Sequence, residues 1–231
     1  MRQLALAVST LVAAAAAMPA LAGDADHPTV VELFQSQGCS SCPPANANLN
    51  AIADRPDLLP LSFAVTYWDR LGWKDTFASP AFTERQWDYA RAGRRSQVYT
   101  PQMIVNGRGV LVGNNRGQLA AALRRYDRGA AGPPIVRSGG EVTIGRAAAR
   151  RPASVWLVWY DPRVHRVPIR AGENGGKTLP HRNIVRALRP LGTWAGTAAS
   201  FRVPASPDPA WRGAVLVQDG KGGAIIAARR I

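Results

Sequence analysis

Only two cysteines are present, and they stand three apart in Cys39-Ser40-Ser41-Cys42. With no third cysteine, sulfur cannot staple distant segments together, so the fold must be held by an ordinary apolar core. A pair at this spacing can close on itself or offer two thiolates to one metal ion. Its sulfurs therefore act on each other or on a visitor, which favours chemistry over scaffolding.

The N-terminus places this pair in a compartment. Arg2 precedes an alanine-rich apolar run from Leu4 to about Met18, followed by Pro19-Ala20-Leu21-Ala22. One cation, a short apolar stretch and small residues at the end are the parts of a secretory signal peptide. Residues 1–22 are read as that signal, with cleavage after Ala22. The run is too short for a convincing spanning helix and no later segment is apolar enough, so no stable membrane insertion is expected. The destination is periplasmic or secreted, where disulfides persist. A mature chain of roughly 210 residues can bury an adequate core without them.

The formal charge is +14, and arginine carries nearly all of it, since Lys74, Lys177 and Lys221 are the only lysines. Arginine over lysine, with abundant Ala, Gly and Pro, is read first as the product of a GC-rich genome, and second as attraction to anionic partners. No dense basic block with interleaved aromatics stands in the chain, so nucleic acid is not an expected partner.

Hydrophobic patterning divides the chain. Thr29 to Phe34 reads as a buried strand, Pro43 to about Ala53 as a helix and Leu59 to Thr66 as a second strand. Pro80 to about Arg91 reads as a helix. Gln102 to Val105 and Gly109 to Gly113 form a hairpin about Asn106-Gly107, and Gly117 to Tyr126 forms a last helix. Strands alternating with helices imply a mixed sheet flanked by helices over residues 23–127. Residues 128–140, rich in Gly and Pro, read as a linker. Residues 141–231 carry short strand-like runs (141–145, 154–160, 163–170, 183–188, 198–203, 214–217 and 223–227), expected to form a small mostly-β domain. The stretch from Asn183 to Leu191 fits helical spacing as well.

A dithiol after a strand and before a helix lies at the positive end of the helix dipole, which favours thiolate. Cys39, on the loop side, is expected to be exposed and to act as nucleophile, with Cys42 resolving the mixed disulfide. Pro43-Pro44 suggests that regular helix begins somewhat later, weakening this effect at Cys39.

Strand Val30–Phe34, the dithiol, and Thr100-Pro101 before the hairpin together resemble the thioredoxin-like superfamily over about residues 29–126. The resemblance implies an α/β thioredoxin-like domain, a cis peptide bond before Pro101, and a proline packed beside the dithiol. More narrowly, the chain is similar to a family of uncharacterised secreted bacterial proteins with a thioredoxin-like domain. Gln37 to Pro44, Tyr67-Trp68-Asp69, Leu71-Gly72-Trp73, Thr100-Pro101-Gln102, Gly172-Glu173-Asn174 and His181-Arg182-Asn183 carry that similarity. Gly38 replaces the tryptophan that precedes the first cysteine in thioredoxin, and Ser40-Ser41 replaces its Gly-Pro. Lacking a charge between the cysteines, the pair is expected to have an intermediate potential.

Cys39, Cys42 and Pro101 are thus the expected catalytic residues, with Glu32, Thr100, Trp68 and Asp69 as support. Glu32, in an apolar strand, could shuttle the resolving thiol's proton, or pair with an arginine. Trp68 could exclude water from the dithiol, or pack with Tyr67 and Trp73. Asp69 could line the pocket or cap a helix. Glu173, Asn174, His181 and Asn183 form a polar cluster about a Gly-rich turn, read first as loop polarity. With scattered histidines, no structural metal site and no cofactor are expected. The expected function is an exported thiol–disulfide oxidoreductase acting on protein thiols or disulfides with a redox partner protein. A Cu(I)-binding or partner-binding module without redox turnover is the alternative. The sequence sets no oligomeric state.

Overall fold

The run Thr29–Gln35 is β-branched and apolar on both faces, and it forms the fully buried strand β1. A computed structural model describes residues 22–231 of the chain. The expected signal peptide, apart from Ala22, lies outside the described residues. Among those residues no helix is long and apolar enough to cross a membrane.

Around β1 the first half assembles much as its patterning implies. β1 leads through the cysteine loop to helix α1 (Pro43–Ala51), strand β2 (Leu58–Ala64), a 3-10 turn (Asp69–Leu71) and helix α2 (Pro80–Ala92). Strands β3 (Gln102–Val105) and β4 (Gly109–Leu111) and helix α3 (Arg116–Arg125) follow. β1 runs parallel to β2, from Thr29 opposite Leu58 to Gln35 opposite Ala64, and antiparallel to β3. The β3–β4 turn has Asn106 and Gly107 both left-handed, at φ 46° and 67°, as the central residues of a type I′ turn require, and Arg108 N–H donates to Val105 O at 2.9 Å. Alternation along β1 sends Val31 and Leu33 toward Ala45 and Leu49 of α1 and Leu119 of α3. Val30 and Phe34 face Phe82 and Tyr89 of α2 on the other side.

The second half continues the same sheet. Its strands are β5 (Ile135–Ser138), β6 (Glu141–Ile144), β7 (Ala153–Asp161), β8 (His165–Pro168) and β9 (Thr178–His181). Then come β10 (Ile184–Trp194), β11 (Ala199–Arg202), β12 (Arg212–Gln218) and β13 (Ile225–Arg230). One eight-stranded sheet has the order β13-β12-β7-β10-β2-β1-β3-β4. The join is β10 against β2, with Ile184 opposite Ser62 and the Ser62 amide donating to Asn183 O at 2.9 Å. β5, β6 and β11 form a three-stranded sheet over a second core around Trp194, and β8–β9 is a separate hairpin.

Residues 141–231 therefore form no separate β unit, although β8 and β9 pair only with each other. Four of their strands extend the first sheet, because β2 would otherwise leave an apolar edge unpaired. The 128–140 stretch is not wholly a linker, since β5 starts in it at Ile135. The helical option for 183–191 gives way to β10, an eleven-residue strand that pairs with β7 through irregularities at Val185/Ala187 and Pro190/Gly192. Two interruptions in an otherwise alternating strand imitate helical spacing.

Candidate active site

Cys39 and Cys42 form a disulfide with their Cα atoms 5.4 Å apart. It lies where the chain leaves the C-terminal end of β1 and enters α1. The loop is wound tightly: Cys39 N–H donates to Ser36 O at 3.2 Å, and Cys42 N–H to Cys39 O at 3.1 Å. α1 starts at Pro43, with Cys42 as its N-cap, so both cysteines precede the first helical residue. What Pro43 and Pro44 remove is two of the N–H donors that a helix start would aim at a thiolate. Ser41 Oγ, 3.4 Å from Cys39 Sγ, is a local hydroxyl that could donate there instead.

Contrary to the expected exposure of Cys39, both cysteines are buried, at 0% and 1%. A strap 135 residues downstream, Gly172–Gly176 between β8 and β9, is bonded to this loop. Asn174, itself fully buried, donates from Nδ2 to Gln37 O at 2.9 Å and to Cys39 O at 2.8 Å. Glu173 accepts from the Ser40 amide at 3.0 Å and the Ser40 hydroxyl at 2.6 Å. Those bonds hold its carboxyl below the usual glutamate range. Gly172 has φ +72°, and a Cβ there would stand 3.3 Å from Trp73 Cβ and 3.4 Å from Leu71 O. Only glycine suits both that backbone and that seat.

The opposite flank is built from the expected support residues. The Thr100–Pro101 bond is cis, and Pro101 leads into β3, whose Gln102 opposes Phe34 at the end of β1. Trp68 donates from Nε1 to Thr100 Oγ1 at 2.7 Å, and its Cβ would lie 3.7 Å from a Cβ on Gly38. Trp68 thus spans from the cysteine loop to the cis-proline turn. Trp73 donates to Gln37 Oε1 at 2.9 Å. Asp69 opens the 3-10 turn and accepts from the Asp75 amide at 3.1 Å. Asp75, 2% exposed, accepts from the Gln37 and Phe77 amides, both at 2.8 Å. Burial raises its carboxyl to about 6 despite those two bonds.

Glu32 is not at the dithiol. It faces α2, where Arg85 Nε donates to it at 2.6 Å and the Tyr89 hydroxyl also donates. Arg85 is fixed further by Gln218 Oε1 at 3.2 Å and lies over the Phe63, Tyr89 and Trp156 rings. This buried ion pair ties α2 to β1 and β12, so the arginine-pairing reading of Glu32 is the one the geometry matches. Of the polar residues read as loop polarity, Asn174, His181 and Asn183 are buried, while Glu173 is exposed. His181 has neither ring nitrogen hydrogen-bonded among the described residues. Burial, with His165 opposite, lowers its pKa to about 4.

Sequence reasoning missed Asp75 and the direct role of Asn174. Asp75 sits between Lys74 and Thr76 with no motif around it. For Asn174, the signal was present in Gly172, Gly175 and Gly176, which frame a turn tight enough to lie against another segment. Among the described residues, no group of three or more His, Cys, Asp or Glu is arranged to hold a metal ion.

Comparison with known proteins brings out two solved structures. The X-ray crystal structure of protein AGR_C_4864 from Agrobacterium tumefaciens is 33% identical, covers 90% of this chain and 94% of its own, and superposes with TM-score 0.74. HBP35 of Porphyromonas gingivalis, at 12% identity, shares the fold alone, with TM-score 0.58 over 90% of this chain and 76% of its own. No curated protein matches. A family model described as protein of unknown function, DUF1223, matches residues 30–218.

Proposed function

The chain belongs to the DUF1223 family, and on that footing we propose that it is an exported thiol–disulfide oxidoreductase of thioredoxin-like architecture, with Cys39–Cys42 as its redox pair. The observation that carries this reading is a disulfide at the start of α1, off the end of a central strand, with cis Thr100–Pro101 leading into the neighbouring strand. The N-terminal signal-like segment supports export.

In the oxidising direction, a substrate thiolate attacks Cys39 Sγ, the intramolecular S–S bond breaks, and Cys42 leaves as thiolate. A second substrate thiolate attacks the substrate sulfur of the mixed disulfide and releases Cys39. The substrate loses two electrons and two protons and gains a disulfide, while the enzyme holds both thiols. Ser41 is placed to donate to the released Cys39 thiolate. The reducing direction is the reverse. Either way a substrate sulfur must reach Cys39 Sγ, so the Glu173–Asn174 strap has to lift.

The test is trapping with Cys42→Ser in an Asn174→Ala background, so that occlusion cannot mask a result. Mixed disulfides through Cys39, lost on adding Cys39→Ser, are expected. No captured protein, together with no disulfide exchange by the Asn174→Ala chain with both cysteines present, would refute the reading.

A further inference from the structure

The arginines that give the chain its charge are scattered through the sequence, yet five of them meet at one cavity of about 470 Å³. Arg55 comes from the turn before β2, Arg163 from the end of β7, Arg182 from the β9–β10 junction, Arg212 from the start of β12 and Arg230 from the end of β13. Arg55 and Pro56 precede β2, whereas the disulfide follows the parallel strand β1. The cavity is therefore at the opposite end of the sheet from the redox pair.

The charges there do not balance. Arg55 is paired with Asp57 at 2.5 Å, Arg163 with Asp161 at 2.6 Å and Arg182 with Asp54 at 2.7 Å. Arg230 spends its donors on backbone carbonyls, with Pro56 O at 2.9 Å. Arg212 has no hydrogen-bond or carboxylate partner among the described residues, although its charge is felt at Asp54. Arg182 has a buried Nε with no acceptor. Arg163 also has Asp208 at 3.9 Å, so five guanidiniums against four carboxylates leave a surplus of one positive charge, with unspent donors on Arg212 and at Arg182 Nε.

We propose that this cavity binds a small molecule bearing a phosphoryl group, held by Arg212 and Arg182. A phosphoryl group supplies the missing negative charge, and the planar guanidinium fork of Arg212, unlike that of Arg182, which is on Asp54, is free for two of its oxygens. The volume exceeds what a bare phosphate fills and falls in the range of small-molecule sites. Tyr160 and Pro162 provide a less polar wall for an organic portion of the ligand.

Calorimetric titration of the full chain with inorganic pyrophosphate tests this, alongside sedimentation with phosphatidylglycerol vesicles. Saturable 1:1 binding of pyrophosphate is expected, weakened at least tenfold by Arg212→Gln and by Arg182→Gln. Arg125→Gln on α3 removes the same charge away from the cavity and is expected to change binding less than twofold. Vesicle binding with the same dependence on Arg212 and no pyrophosphate binding would identify the phosphoryl source as a lipid headgroup. No binding of either probe, or equal weakening by all three substitutions, would overturn the proposal. Arg212 is exposed, so its variant tests the site even if Arg182→Gln misfolds.

Discussion

Replacing Asn174 by alanine should make the disulfide reducible in a chain that is still folded. In the closed state the Asn174 amide supplies bonds at 2.9 and 2.8 Å to Gln37 O and Cys39 O. Cys39 O keeps its bond from Cys42 N–H, so its loss is one net hydrogen bond. Gln37 O is left buried and unpaired. Together these raise the closed state by about 2–3 kcal/mol. If reduction proceeds through local opening of the strap, its rate should rise about 30- to 160-fold, one decade per 1.36 kcal/mol. The assay is reduction by a water-soluble phosphine, quenched by alkylation and followed by mass spectrometry, beside urea unfolding of each variant. Asn183→Ala is the control: Asn183 is equally interior and donates to Pro60 O at 2.8 Å, but lies outside the strap. It should lower global stability without speeding reduction. A rate for Asn174→Ala within twofold of wild type, or an equal acceleration in Asn183→Ala, would refute strap opening as the route to the sulfurs.

Two further outcomes follow from buried charges. Glu32→Ala or Arg85→Ala should each cost about 3–5 kcal/mol in urea unfolding, because each strands a buried charge. Disulfide exchange by the remaining folded protein should be unchanged, and a selective loss of exchange in a stably folded Glu32→Gln variant would restore Glu32 as a proton relay. Asp75 and His181 should give opposite pH dependences. Asp75 titrates near 6 when folded against 3.8 when unfolded, so its contribution to stability falls between about pH 4 and 6. His181 titrates near 4 against 6.5, so its contribution rises between about pH 4 and 6.5. Each amounts to about 3 kcal/mol, and in the wild type they largely offset. Asp75→Asn should therefore gain stability over that window and His181→Leu should lose it; unfolding curves in which both variants track the wild type would show these groups titrating normally.

The first half was legible because its signals are local. A short apolar run rich in β-branched residues marks β1, Pro80 marks the start of α2, and Asn106-Gly107 dictates its hairpin. The disulfide pairing was open at the sequence level only between closure and metal ligation, and the chain has it closed. The second half was less legible because its strands depend on distant partners. β10 is a strand by virtue of lying between β7 and β2, and its two irregularities break the alternation that would have announced it. Burial of the dithiol was illegible for the same reason. Gly172-Glu173-Asn174 looks like a polar loop until the Gln37 and Cys39 carbonyls are placed beneath it. The arginine cavity is the extreme case, since its five contributors are spread from Arg55 to Arg230 and only the antiparallel return of β12 and β13 gathers them.

The separation between the cysteines and their cover also has a meaning in time. A ribosome makes Cys39 and Cys42 long before Asn174, and the strap has nothing to close until β8 and β9 exist. Until the strap folds down the thiols have no cover, and the loop that later shuts over them cannot discriminate. Completion of the chain then turns an accessible pair into a guarded one. Folding of the strap divides the history of this pair into a period open to the surroundings and a later one governed by the protein's own opening.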